Sequence, residues 1–231
     1  MSQSPGFLTH PLLSDARVAH GFGQVGSTDP AGVVRPIQQH GTEVACVLDV
    51  VDTDPGHADA IVSTLARVPV GVLTADCVPV LLAVDDGRVV AAIHAGWRGL
   101  AAGVVPSAFE TMERVAAGWR RVAAVIGPHV GACCYEVDSP VIERLRIRFA
   151  QHLDSALTPV NPEHSMLDLG ALVRLELIRA GVPPAEVGSF PDACTCCDAE
   201  RFHSHRRDGD RAGRLLHWIA ATGLDTPHGA S

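Results

Sequence analysis

Apolar positions along the chain fall into two kinds of run. Continuous short runs at Ala58 to Ser63, Val68 to Leu73, Val80 to Val84, Val89 to Ile93 and Arg121 to Ile126 predict strands. A first strand is expected at Arg17 to Phe22, and Val44 to Val51 is a further apolar stretch. Asp85-Asp86-Gly87 is a turn signal, so the strands on either side of it read as a hairpin. Cys77 stands just before one strand of that pair and His94 just after the other. An antiparallel hairpin therefore sets these two side chains next to each other.

The second kind of run is spaced rather than continuous. Val105, Ala108, Phe109, Met112, Val115 and Ala116 mark one face of a helix within residues 100–117. Ser139 and Pro140 resemble a cap and a first-turn proline ahead of Val141, Ile142, Leu145, Phe149 and Leu153. Leu169, Leu172, Val173, Leu177 and Ala180 mark a third helix, ended by Gly181 and Pro183-Pro184. Gly23 to Val34 reads as a loop, residues 1–16 as a loose start, and Cys194 to Arg214 as a polar, charged segment. Strands and three helices without strict alternation predict an α+β fold, and no repeat or linker divides it. Residues 1–231 are thus expected to form a single domain.

Composition narrows this picture. Hydrophobic residues make up 47% of the chain and aromatic residues only 4%, so the core must be built from Val, Leu, Ile and Ala. A net charge of -8 and a pI near 5.8 argue against nucleic acid as the main partner. No apolar run is long enough for a bilayer, and the first residues lack the pattern of a signal peptide. Seven cysteines, an odd number without regular spacing, fit a reducing cytoplasm better than a disulfide framework.

Candidate chemistry gathers at Ile93 to Leu100, which reads IHAGWRGL. This strand-to-helix junction carries His94, Trp97 and Arg98 between permissive glycines. His40 sits on another turn, and Cys77 on a third. Two imidazoles and a thiolate suit Zn²⁺, and three protein ligands leave a fourth position for water or substrate. No local ligand spacing joins the three, so the alternative is an exposed turn histidine and a packing cysteine. Asp76 is a candidate general base or partner of a ligand histidine; it is equally placed to close a turn. Arg98, and Arg206-Arg207 beside Ser204, are candidate anion contacts whose alternative is a solvated charged surface. Trp97 could stack on a planar substrate or pack over its own helix, and His129 is open between structural and functional roles.

Cys194 and Cys197 form a C-x-x-C in loop-like surroundings. With Cys133-Cys134 they would complete a four-cysteine zinc site, but an adjacent pair is poor geometry for one. The 12 histidines include a single His-x-His pair, His203 and His205, and no blue-copper set of ligands, which argues against four-copper oxidation. The zinc deaminase signature, the dinucleotide fingerprint and the P-loop are absent.

Several stretches appear in a fixed order: Gln39-His40-Gly41, Ala58-Asp59-Ala60, Thr74-Ala75-Asp76-Cys77-Val78-Pro79, His94-Ala95-Gly96-Trp97-Arg98-Gly99, Ile126-Gly127-Pro128, Cys194-Thr195 and Ser204 to Gly209. Together they resemble the YfiH family, long labelled laccase-domain or polyphenol oxidase proteins, over about residues 17–218. The resemblance implies a single-domain α/β sandwich with mixed sheets flanked by helices. It also implies one zinc held by His40, Cys77 and His94, with copper as an alternative metal. The implied activity is phosphorolysis of adenosine, inosine and S-methyl-5'-thioadenosine, accompanied by adenosine deamination, in a cytoplasmic monomer or homodimer. Asp76 and Arg98 are then the expected catalytic groups, and Ser204, Arg206 and Arg207 the expected substrate contacts. His205 and Ala212-Gly213-Arg214 depart from the family's usual aromatic and Thr-Gly-Arg. Two rivals stand beside this reading. One is a hydrolase with Cys77 as nucleophile and His94 as base, acting on an amide or a cell-wall precursor. The other is a non-catalytic metal-binding protein.

Overall fold

The computed structural model describes residues 6–48 and 54–222. The chain opens with α1 (Pro11–Asp15) and β1 (Ala19–Phe22), then crosses a loop to β2 (Val44–Val47), β3 (Ala60–Ser63) and β4 (Pro69–Thr74). The hairpin β5 (Val78–Val84) and β6 (Val89–Ala95) follows, then α2 (Trp97–Ala102), α3 (Val104–Val115), β7 (Val122–Ile126) and β8 (Glu136–Asp138). Next come α4 (Ser139–Phe149), β9 (Leu157–Pro159), β10 (His164–Leu167), α5 (Leu169–Arg179) and β11 (Val187–Ser189). The chain closes with α6 (His205–Asp208) and β12 (Leu215–Ala220).

A six-stranded mixed sheet, ordered β11-β7-β5-β6-β3-β2, forms the central layer. Its inner strands β7, β5, β6 and β3 are buried at every position because both faces are covered, and only Ser63 and His94 interrupt their apolar runs. Val80, Leu82, Val84, Val89, Ala91 and Ile93 point to one face and pack with α3, α4 and α5 through Phe109, Met112, Leu145, Phe149, Leu172 and Val173. Leu81, Ala83, Val90, Ala92 and Val125 point to the other face. There they meet a three-stranded sheet, β1-β12-β4, through Phe22, Val70, Val72 and Ile219. A second three-stranded sheet, β8-β10-β9, adds Val137 and Leu167 to the helical side. This is the α+β sandwich expected from the sequence.

Three expectations need correction. The start is not loose from residue 6 on: Leu13 of α1 is fully buried, and Leu8 exchanges backbone hydrogen bonds with Phe22 at 2.9 Å. The helix expected over residues 100–117 is two helices, broken at Gly103 with φ +107. Pro106 explains the restart, since its missing N–H is tolerated in the first turn of α3 but not inside a continuous helix. The stretch predicted to be a strand over residues 44–51 is β2 as far as Val47; its last residues lie outside those described.

Candidate metal centre

The hairpin register carries the site. Val78 pairs with Ala95 and Pro79 with His94, so Cys77, just ahead of β5, stands two positions from the pair that contains His94; His94 is the next-to-last residue of β6 and does not follow the strand as the sequence suggested. His40 arrives from the loop before β2. The ligand-type atoms of His40, Cys77 and His94 all lie within 4.8 Å of one another. Cys77 Sγ is 3.8 Å from His40 Nε2, and the two imidazole rings stand edge to face with centroids 4.7 Å apart.

Asp59, at the entry to β3, holds this arrangement. Its Oδ1 accepts hydrogen bonds from His94 Nδ1 at 2.8 Å and from the His40 backbone N–H at 2.8 Å. Its Oδ2 accepts from the backbone N–H groups of Gln39 (3.1 Å) and Gly41 (2.6 Å). Three successive N–H groups converge on one carboxylate because His40 adopts φ +60, a left-handed conformation that turns the loop into an anion-binding nest. One buried side chain therefore fixes both the loop bearing His40 and the ring orientation of His94. A carboxylate behind a donor histidine also raises the basicity of the nitrogen facing the site. The sequence pointed to Asp76 for this role; the structure gives it to Asp59, the acid that interrupts Ala58-Asp59-Ala60 at the head of a strand.

Ionisation follows from these contacts. Burial works to raise the Asp59 pKa, but the His94 ring and the backbone donors outweigh it and hold the group at about 2. Burial works to lower that of His94, and hydrogen bonds to Asp59 and Cys77 reverse it, to about 9. Burial likewise opposes the Cys77 thiolate, yet the two histidines bring its pKa down to about 6. The glycines of the turn leave room for the centre. A Cβ on Gly96 would lie 2.8 Å from the His40 ring and 3.1 Å from Cys77 Sγ, and one on Gly99 would lie 2.8 Å from the Gly41 carbonyl oxygen.

The three side chains form part of the lining of a cleft of about 920 Å³. Trp97, Arg98, Tyr135, His205, Arg206 and Arg214 supply much of the rest. The Arg98 guanidinium lies 4.4 Å from the Trp97 ring centroid, and that of Arg206 lies 5.3 Å from the Tyr135 centroid. Of the departures from the family pattern, His205 falls on the cleft wall; Ala212, which stands for the family's threonine, does not line the cleft, whereas Arg214, shared with the pattern, does.

Other expected site residues are placed differently. Ser204 is fully buried, and its hydroxyl caps α6 by accepting from the Arg207 N–H; it is not exposed to a substrate. The Arg207 guanidinium donates to the carbonyls of Thr195, Cys196 and Phe202 and to Asp208, so it is a loop clamp and not an anion contact. Asp76, with φ +90, accepts from the Thr195 hydroxyl at 2.6 Å on one oxygen and from the Arg206 backbone N–H on the other. His129 is tied by its ring to the Gly127 carbonyl at 2.8 Å, a structural use.

Fold and donor set define an α+β sandwich protein in which two imidazoles and a cysteine sulfur meet at the wall of an open cleft. Over residues 16–222 the sequence matches the family described as multi-copper polyphenol oxidoreductase laccase, and the chain belongs to that family. Purine nucleoside phosphorylase SCO2081 of Streptomyces coelicolor is 39% identical over 196 residues, covering 83% of this chain and 76% of its own. Adenosine deaminase RL5, from an unknown prokaryotic organism, is 33% identical over 210 residues, covering 87% and 79%. The match to purine nucleoside phosphorylase YlmD of Geobacillus stearothermophilus, 36% identical over 168 residues, spans 71% of this chain and only 60% of that protein. The crystal structure of Bacillus licheniformis YfiH superposes with a TM-score of 0.76 at 30% identity, covering 84% of this chain and 76% of that one. The donor set does not follow the family's label. Among the described residues, the groups able to hold a metal are this triad and a four-cysteine cluster, and neither is the multi-histidine array that four coppers need.

Proposed function

We propose that this protein is a zinc-dependent purine nucleoside phosphorylase that also deaminates adenosine. The observation that carries this reading is the convergence of His40, Cys77 and His94 on a cleft lined by aromatic rings and arginines. Relatives named as purine nucleoside phosphorylases and as an adenosine deaminase support it. The cleft volume is that of a small-molecule site. Three donors of this kind fit zinc with one position open, and copper fits the same donors less specifically. When bound there, zinc would supply a Lewis acid beside the substrate.

The chain's own groups do the remaining work. Trp97 and Tyr135 offer faces on which a purine can stack. Arg98 and Arg206 bring positive charge to the same wall, where the phosphorolytic nucleophile is an anion. We assign Asp76 to positioning: both of its oxygens already accept hydrogen bonds, and one of them holds the backbone of Arg206. No helix among the described residues is long and apolar enough to cross a membrane. The free thiols call for a reducing compartment, so we place the enzyme in the cytoplasm.

The test is turnover of adenosine with and without phosphate, separating adenine, inosine and ribose 1-phosphate, before and after chelation and zinc return. Phosphate-dependent adenine and phosphate-independent inosine, both lost on chelation, are the expected results. Absence of both products from the zinc-loaded protein overturns the proposal.

Two substitutions separate binding from architecture. Arg206→Ala should raise KM for phosphate about tenfold with little change in Tm, since its side chain is exposed and makes one hydrogen bond, to the Glu136 carbonyl, besides its contact with the Tyr135 ring. Arg207→Ala should instead lower stability by about 2 kcal/mol, roughly 5 °C in Tm, because three loop carbonyls lose their donor. Gly96→Ala forces the His40 ring and the Cys77 sulfur apart. Zinc affinity should fall about tenfold or more, measured by competition with a chromophoric chelator, while the far-ultraviolet circular dichroism stays unchanged.

A further inference from the structure

Cys133, Cys134, Cys194 and Cys197 bring four sulfurs within 4.8 Å of one another. Cys133 Sγ is 3.7 Å from that of Cys194 and 3.5 Å from that of Cys197, and Cys134 Sγ is 3.3 Å from that of Cys197. A disulfide is about 2.0 Å long, so these are separate thiols. Four sulfurs, each about 2.3 Å from a tetrahedral zinc, stand about 3.8 Å apart. The observed spacing is close to that figure.

The backbone builds the cluster from two distant loops. A β-bridge joins His129 to Cys194, and the Thr195 N–H donates to the His129 carbonyl at 3.0 Å. On one side of that bridge, the N–H groups of Cys134 and Tyr135 both donate to the Gly131 carbonyl, winding the adjacent cysteines into a tight turn. This turn overcomes the objection that neighbouring cysteines diverge. On the other side, the C-x-x-C wraps so that the Asp198 N–H reaches the Cys194 carbonyl at 3.2 Å. Cys194 Sγ accepts the Gly131 N–H at 3.2 Å, a contact that favours a thiolate at that atom.

Packing does not account for the cluster. Cys133 and Cys197 are exposed, and none of the four belongs to the hydrophobic clusters of the described residues. It shares no residue with the His40–Cys77–His94 centre, and it stands whether or not that centre is catalytic.

We propose that Cys133, Cys134, Cys194 and Cys197 form a second metal site, a closed tetrathiolate that binds one zinc ion for structure. Four donors leave no open position, the mark of a structural and not a catalytic zinc. Entry of Zn²⁺ displaces the four thiol protons to solvent, leaves a site of net charge −2 and involves no oxidation. The ion would staple the loop ending in Tyr135 to the loop leading into His205 and Arg206, three residues of the cleft wall. It would thereby set the shape of the substrate pocket without touching substrate.

Native mass spectrometry of the unaltered chain, purified without chelator, is expected to show about two zinc ions per chain. Cys77→Ala, which removes the first centre's thiolate, should keep about one. X-ray absorption at the zinc edge of that variant should then find four sulfur neighbours at about 2.3 Å. Cys194→Ser with Cys197→Ser in the otherwise unaltered chain should also leave about one ion, now with mixed nitrogen and sulfur neighbours. A metal-free unaltered chain overturns the proposal. So does a metal-free Cys77→Ala protein, a nitrogen-rich shell in that variant, or a disulfide among these four cysteines in non-reducing peptide maps.

Discussion

Cys77→Ala is expected to lower kcat/KM for adenosine and inosine by about three orders of magnitude, near 4 kcal/mol of transition-state stabilisation. The loss should be accompanied by removal of zinc from the cleft. The sulfur is the only anionic donor of the three, and His40 and His94 alone make a weak site. The same substitution would also disable a hydrolase using Cys77 as nucleophile. That rival draws support from the thiolate, whose pKa lies near 6 because two histidines surround it despite burial. Chelation separates the two readings, since it leaves the sulfur in place. If the metal carries the reaction, stripping it reproduces the loss seen in Cys77→Ala. If chelated enzyme keeps its activity, the nucleophile reading gains what the metal reading loses.

Asp59→Asn is expected to weaken zinc binding by about 10- to 100-fold and to lower activity in step. The amide keeps the shape but supplies only one acceptor oxygen. Each oxygen serves two partners among the N–H groups of residues 39–41 and the His94 ring, so the two on the side taken by the amide nitrogen then face a donor instead of an acceptor. Asp59→Ala should do worse, costing about 3 kcal/mol or more of stability, because buried donors and the strained His40 conformation lose their anchor. The acid branch of the stability curve offers an independent reading. A folded-state pKa of about 2, below the ordinary carboxylate value of 3.8, means the carboxylate's contribution is fully present above about pH 4. It is lost as pH falls through 2. Thermal melts across that window should show a steep wild-type decline, whereas Asp59→Asn starts lower and declines less.

Much of the sandwich was legible because its central strands are buried on both faces and read as unbroken apolar runs. The hairpin argument placed Cys77 beside His94 from a turn signal alone, and the register Pro79 with His94 bears it out. His40 was legible as a candidate ligand on a turn, but not its approach to the other two, which depends on Asp59, whose pairing with the loop is long-range and leaves no periodic trace. Strand β12, the centre of the β1-β12-β4 sheet, went unread because Leu215 to Ala220 follows a long polar stretch and carries His217 and Trp218 within its short apolar run. Ser204 and Arg207 looked like anion contacts because a cap and a loop clamp use the same side chains as a phosphate site. The four-cysteine cluster was set aside on the adjacency of Cys133 and Cys134. The turn at Gly131, closed by two hydrogen bonds to one carbonyl, is what the residue order did not reveal.

The three donors of the proposed zinc centre are not equally free to leave. Cys77 adjoins and His94 lies within the open end of the β5–β6 hairpin, whose fourteen strand residues are all buried, so their backbone moves only when the core itself opens. His40 rides on a loop whose residues 39–41 are held by one carboxylate, while Gln38 and Ile37 just before them are tied separately to Leu73, Gly56 and Ala58. Exchange of a bound ion with the medium would therefore begin with the His40 arm swinging out while the other two donors keep their grip. The rate of that exchange would follow the Asp59 fastening and not the global unfolding rate, so the centre could trade ions within a fold that never comes apart.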